Sequence, residues 1–177
     1  MDNVLLALSM STENVMKTKE KIMSWLKEEA CSPEEKSDPN AYFNISVKVG
    51  NLGCHVIQPV QKIDSIIAVL RLSLPPEQLA LLKGMDLEKK KALFWDLRLS
   101  LLNNSELLDF GIEADSPEDI KAVSISSKPV FYEELTKPKL FSAIYAVTRA
   151  TLIVIWTIQK YAGIIPSKKD QKVPYSS

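Results

Sequence analysis

Tyr42-Phe-Asn-Ile-Ser-Val-Lys-Val49, with Gly50-Asn51 directly after it, is the stretch on which the fold turns. Phe43, Ile45, Val47 and Val49 alternate with Tyr42, Asn44, Ser46 and Lys48. That period of two predicts a strand with one buried face and one wetter face. Gly50 and Asn51 both tolerate positive φ, so they predict a hairpin turn and a second antiparallel strand over about Leu52 to Val60. Pro59 has no amide proton to give to a ladder, so that end is expected to be unpaired or at an edge. A third strand is expected over about Asp64 to Leu74. Its centre, Ile66-Ile67-Ala68-Val69-Leu70, is apolar on both faces. Such a strand is covered on both sides, or one face waits for a partner.

Helical patterning begins on either side of this meander. Upstream, Val15, Ile22, Met23 and Leu26 fall on one face, with Trp25 at its edge, which predicts a helix from about Thr12 to Glu29. Ser11 or Thr12 can cap it. Cys31 to Asn40 holds two prolines among polar residues and is expected to be a loop. Downstream, Pro75-Pro76-Glu77 opens a short helix that Gly84 ends. Asp86 then caps a helix over about Leu87 to Asn103, with Leu93, Leu97 and Leu101 as its inner ladder, joined by Phe94. Leu108, Phe110 and Ile112 alternate with Asp109, Gly111 and Glu113, and Ile120 to Ser126 carries Val123 and Ile125. These two runs predict a second hairpin, turned by Asp115-Ser-Pro-Glu118. Thr136 caps the longest helix, about Lys137 to Ala162, whose apolar face is Leu140, Ile144, Val147, Thr151, Val154, Ile155 and Ile158.

The expected fold is therefore α+β. It has a five-stranded antiparallel sheet with helices packed on one face, in the order α-β-β-β-α-α-β-β-α. The expected boundaries are an N-terminal extension over residues 1–11, one domain over 12–165 and a solvated tail over 166–177. No internal repeat or low-complexity segment interrupts it.

This element order, with the Tyr42–Val49 pattern, resembles the fold of type III secretion chaperones and the related YbjN-like domains. The resemblance extends to an uncharacterised archaeal family assigned to that fold group. It covers about Thr12 to Ala162. It implies a homodimer that holds a segment of another protein on exposed apolar patches. Two features depart from the pattern: such chaperones are often acidic, and the last helix here is unusually long and apolar.

Composition narrows the function classes. The chain has 177 residues, 46% of them hydrophobic, enough for a core without disulfides or metals. Its 22 basic and 22 acidic residues balance to a net charge of +0, and Lys greatly outnumbers Arg. Neither fact suits a reader of nucleic acid, which works through basic surface and the planar arginine fork. Two cysteines, Cys31 and Cys54, point to a reduced, cytoplasmic setting rather than a disulfide framework. The apolar run Ala150 to Ile158 is far shorter than the ~20 residues of a spanning helix. A buried helix is expected there, with membrane attachment through the last helix as the alternative.

Candidate chemistry is thin. His55 is the one histidine, and its neighbour Cys54 points to the opposite strand face, so the two cannot cooperate. No Cys or His spacing suits a metal, and the glycines form no phosphate cradle. Lys89-Lys90-Lys91 spreads around its helix as a solvated face. The one enzyme idea is a metal-dependent nuclease. Asp109 on one strand and Asp119-Ile120-Lys121 entering the next loosely resemble the paired carboxylates and lysine of a large nuclease superfamily. The expectation is accordingly no catalytic, cofactor or metal site, and a dimeric protein-binding module. Ile67, Val69, Val154 and Ile158 are its expected interface residues.

Overall fold

The computed structural model describes the backbone of residues 2–62, 64–114 and 120–163, and side chains from residue 13 onward within them. Helices α1 (Asp2–Glu28), α2 (Pro76–Lys83), α3 (Leu87–Leu102) and α4 (Lys137–Ala162) accompany seven strands. The strands are β1 (Glu34–Lys36), β2 (Ala41–Val49), β3 (Leu52–Pro59), β4 (Ser65–Ser73), β5 (Leu107–Ala114), β6 (Ile120–Ser127) and β7 (Val130–Phe131). All pairings are antiparallel, in the order β1-β2-β3-β4-β6-β5, with β7 on β4. The α+β class and the antiparallel sheet are as expected; among the described residues the sheet has seven strands rather than five.

Both additional strands escape periodicity. Glu34-Glu35-Lys36 is exposed throughout, so it carries no apolar alternation, and a short charged strand is how a sheet edge is kept from pairing further. Val130–Phe131 is only two residues long. The segment from Cys31 to Asn40, expected as a loop, thus contributes an edge strand whose Glu35 lies opposite Ile45. Helix α1 starts at Asp2 and runs through Ser11 and Thr12 instead of being capped there. The Leu and Ala of residues 5–8 are strong helix formers that carry it upstream.

The β5–β6 hairpin docks through its second strand. On β6, Ile120, Ala122, Val123 and Ile125 are all buried, which suits an interior position between β4 and β5. On β5, Asp109, Gly111 and Glu113 are exposed, which suits an edge. Pro59 is paired with Ala41 at the end of the β2–β3 ladder, where its missing proton costs least. Of the Gly50-Asn51 pair, only Gly50 is left-handed, with φ 60°, as in a type II′ hairpin turn.

One face of the sheet is the floor of the core. Phe43, Ile45, Val47, Cys54, Val56, Ile66, Ala68, Leu70, Val123 and Ile125 are buried there. Helix α4 lies across β3, β4 and β6, and α1 covers β2. Leu140, Ile144, Val147, Thr151, Val154 and Ile158 form its inner stripe and are 1% exposed or less. By length and composition α4 could cross a membrane, but 56% of its most apolar stretch is buried inside the protein. Its apolar stripe is taken up by the sheet. Thr136 caps it by accepting from the Lys139 amide at 3.4 Å, and Gly163 closes it with φ 70°. Helix α3, capped by Asp86 (2.9 Å to the Lys89 amide), packs on α4 through Leu93, Leu97 and Leu101. The end of α1 is a Schellman turn. Ala30 takes φ 54°, and the Cys31 amide donates to the Leu26 carbonyl at 3.0 Å.

Candidate partner-binding face

The helices leave the other face of the sheet uncovered among the described residues. Because successive side chains alternate, the residues between the core positions line it. Asn44 and Ser46 come from β2, His55 and Ile57 from β3, Ile67, Val69 and Arg71 from β4, and Ser124 and Ser126 from β6. The register joins them in rows. Asn44, Ile57 and Ile67 form one; Ser46, His55, Val69 and Ser126 form the next. Ile57, Ile67 and Val69 therefore make a compact apolar centre on the two middle strands, each half-buried. Polar side chains surround it. That is the anatomy of a small interface, an apolar core within a polar rim.

The rim is ordered by hydrogen bonds. Asn44 Nδ2 donates to Asp38 Oδ2 at 3.2 Å, which fixes the amide so that its oxygen faces His55. The Asn44 Oδ1 to His55 Nδ1 distance is 2.7 Å. An amide oxygen can only accept, so His55 Nδ1 carries a proton and donates it to Asn44. At the far side, Arg71 pairs with Glu113 across the sheet, and Ser126 Oγ donates to the Asp109 carbonyl at 3.2 Å. Cys54 is fully buried on the opposite face, and burial pushes its thiol up to about 12. It is held as a small apolar group, not a nucleophile.

The four residues expected at an interface are split by the fold. Ile67 and Val69 lie on the open face, but Val154 and Ile158 are inside the core at 0% and 1% exposure. The sequence marked α4 as having spare apolar surface; the sheet consumes it. Ile57 is the residue that sequence reasoning missed. Its alternation with buried Val56 and Gln58 was available as a signal, once the β3–β4 register placed it beside Ile67.

Of the nuclease-like residues, Asp109 and Lys121 are not brought together. Asp109 pairs with Ser126, near one end of the β5–β6 hairpin, while Lys121 enters at the other. Five residues of strand separate those positions, about 17 Å. Asp109 Oδ1 accepts from the Phe110 amide at 2.8 Å. Asp119 and the expected Asp115–Glu118 turn lie outside the described residues, as does the expected tail. Among the described residues, no three of His, Cys, Asp and Glu are placed to hold a metal ion.

Two shallow surface grooves lie away from this face. One lies between α1 and the 3-10 turn Tyr132–Glu134, lined by Asn14, Lys17, Thr18, Lys21, Tyr132 and Glu133. Its floor is structural: Tyr132 donates to the buried Gln58, and burial pushes the phenol up to about 12 against the opposing effect of Thr18 and Gln58. The other lies where the α2–α3 turn meets the end of α4. There Asp96 accepts from Tyr161 at 2.7 Å and pairs with Lys160 at 3.3 Å, which holds its carboxyl below the usual range.

Comparison with known proteins places the chain among relatives of unassigned role. No curated protein matches it. The crystal structure of an uncharacterized protein from Methanothermobacter thermautotrophicus is similar, at 30% identity and a TM-score of 0.73, covering 80% of this chain and 96% of that one. A family model described as an uncharacterized conserved protein, DUF2299, matches residues 18–158. The match runs from α1 almost to the end of α4, and on that ground the chain belongs to the DUF2299 family.

Proposed function

We propose that this chain is a non-enzymatic protein-binding module, chaperone-like in its mode of action. It works as a homodimer in the cytoplasm and holds a segment of a partner protein on the open face of its sheet. The observation that carries the reading is the uncovered apolar centre of Ile57, Ile67 and Val69 within its hydrogen-bonded rim. Burying the exposed part of a partly buried isoleucine or valine gains about 1 kcal/mol, so three of them give a modest, reversible grip. The rim of Asn44, His55 and Ser126 adds direction through hydrogen bonds. The likeness in element order to type III secretion chaperones points the same way, by analogy only. Membrane attachment through α4 finds no such support, since lifting that helix off would expose the floor of the core.

The test compares capture from the native host's lysate by the wild-type chain and by an Ile67→Lys, Val69→Lys variant. Both substituted positions lie on the open face and outside the core, so the fold is expected to survive, which circular dichroism checks. The expected result is a stoichiometric protein partner held by the wild type and lost by the variant. Equal capture by both, or recovery of the bait alone, would refute this use of the sheet face.

A further inference from the structure

The link between α1 and β1 is strained. Among the described residues, Ala30 and Ser32 are the two other than glycine with positive φ, at 54° and 44°. A left-handed backbone crowds the Cβ of an L-residue against its own chain, which is why glycine usually takes such places. Ala30 stands where the turn that closes α1 favours glycine. Ser32 precedes Pro33, whose ring favours extended backbone in the residue before it. Both strained residues are exposed, so no packing of their own side chains compensates. The strain is held by what lies on either side. Upstream, α1 buries Val15, Ile22 and Leu26 against the core. Its ion pairs Lys19–Glu35, at 3.0 Å, and Glu28–Lys137, at 2.9 Å, join it to β1 and α4.

We infer that the segment from Ala30 to Pro33 is the hinge of a domain swap, and that the homodimer forms by exchange of α1 between two copies. The inference rests on the dimeric part of the function proposed above and gives it a mechanism. Opening the hinge lets Ala30 and Ser32 take extended backbone, but a lone copy does not stay open. It would leave the fully buried Ile22 and Leu26 in water, together with the inner face of β2 that α1 covers. The structure names what refills that place: a helix with this apolar stripe and these ion-pairing positions. Helix α1 of a second copy supplies every one of those contacts unchanged, and no further apolar surface is required. An extended hinge from Glu29 to Pro33 reaches about 15 Å, enough to carry a helix about 10 Å across away from its own sheet. In the two-fold dimer the hinge is then the part that differs from two closed copies. There the dimer gives up the bonds from the Cys31 amide to the Leu26 carbonyl, at 3.0 Å, and from the Lys48 amide to the Cys31 carbonyl, at 3.2 Å. Both lie at the surface end of α1, where water replaces them. In return it releases the strain of Ala30 and Ser32 in both copies, and a short strained hinge is what invites exchange.

The experiment refolds a mixture of isotopically light and heavy chains from urea and isolates the dimer by size exclusion. A carbodiimide then converts the Lys19–Glu35 and Glu28–Lys137 ion pairs into amide links, and mass spectrometry of the digested peptides reads the isotope on each side. Exchange of α1 is expected to make about half of both links mixed, as random two-fold pairing requires. A dimer whose links all stay within one isotope would overturn the swap and leave the dimeric part of the proposed function standing. A chain that stays monomeric at every concentration would overturn both. One substitution tests the hinge itself. Ala30→Gly removes the left-handed penalty from the closed copy, so it is expected to raise the dimer dissociation constant by about 30-fold, one residue being relieved in each of two closed copies. Sedimentation equilibrium reads that constant, and an unchanged or lower value would overturn the strained hinge as the cause of exchange.

Discussion

At the scale of single residues, Cys54 shows how a fold fixes a side chain's chemistry. It is fully buried opposite Val47, and burial raises its thiol from 9.0 to about 12, with the nearby Cys31 adding to the effect. In the unfolded chain the thiol ionises near its ordinary value, so above pH 9.0 the unfolded state loses a proton that the folded state keeps. The contribution to stability is therefore whole below pH 9.0 and lost as pH rises toward about 12. It amounts to on the order of a few kcal/mol at the alkaline end. Replacing Cys54 with the near-isosteric Val is expected to flatten the alkaline fall in melting temperature relative to wild type; an unchanged slope would mean the thiol is solvated. The burial of Cys54 was legible from alternation alone, since it follows from the phase of Phe43, Ile45 and Val47. The identity of its neighbour was not, because Cys31 reaches the strand through a backbone bond from the Lys48 amide that no local pattern encodes.

At the scale of elements, α4 is the organiser. Its cap at Thr136 and its inner stripe were readable, the stripe because a 26-residue amphipathic helix repeats its signal many times. What its surplus apolarity is for was not readable. The structure sets Val154 and Ile158 against the sheet and leaves Trp156 59% exposed on the outer side. Truncating Ile144, which is fully buried, to Ala should cost about 2–5 kcal/mol, as a core cavity does, whereas Trp156→Ala should cost well under 1. Urea denaturation of the two variants reads this directly, and comparable losses would show that the outer face of α4 is packed after all. Helix α3 taught the reverse lesson. The ladder of Leu93, Leu97 and Leu101 was plain in the sequence, and the second stripe through Trp95, Leu99 and Leu102 was present at equal strength. A helix with two apolar sides gives no indication of which one the core takes.

At the scale of the whole molecule, strand order decides which surfaces are available. The interior place of β6, the edge place of β5 and the charged cap of β1 predict a gradient of opening across the sheet. Hydrogen exchange should be slowest in β3, β4 and β6, faster in β5 and fastest in β1, since edge strands open without global unfolding. Equal protection of β5 and β6 would mean that the β5 edge is paired in solution. The amino-acid sequence by itself determined the class, the five long strands and the four helices, because each rests on local periodicity, caps and turns that need no knowledge of neighbours. The short strands β1 and β7 lay beyond it, since three charged residues and a dipeptide carry no period. Only the tertiary structure decided that β6 inserts between β4 and β5, that α4 spends its apolar stripe on the sheet, and that Ile57 joins Ile67 and Val69 on an open face. Those outcomes depend on which apolar surface meets which. Every hydrophobic face competes for the same cover, and only the complete packing shows which are left exposed.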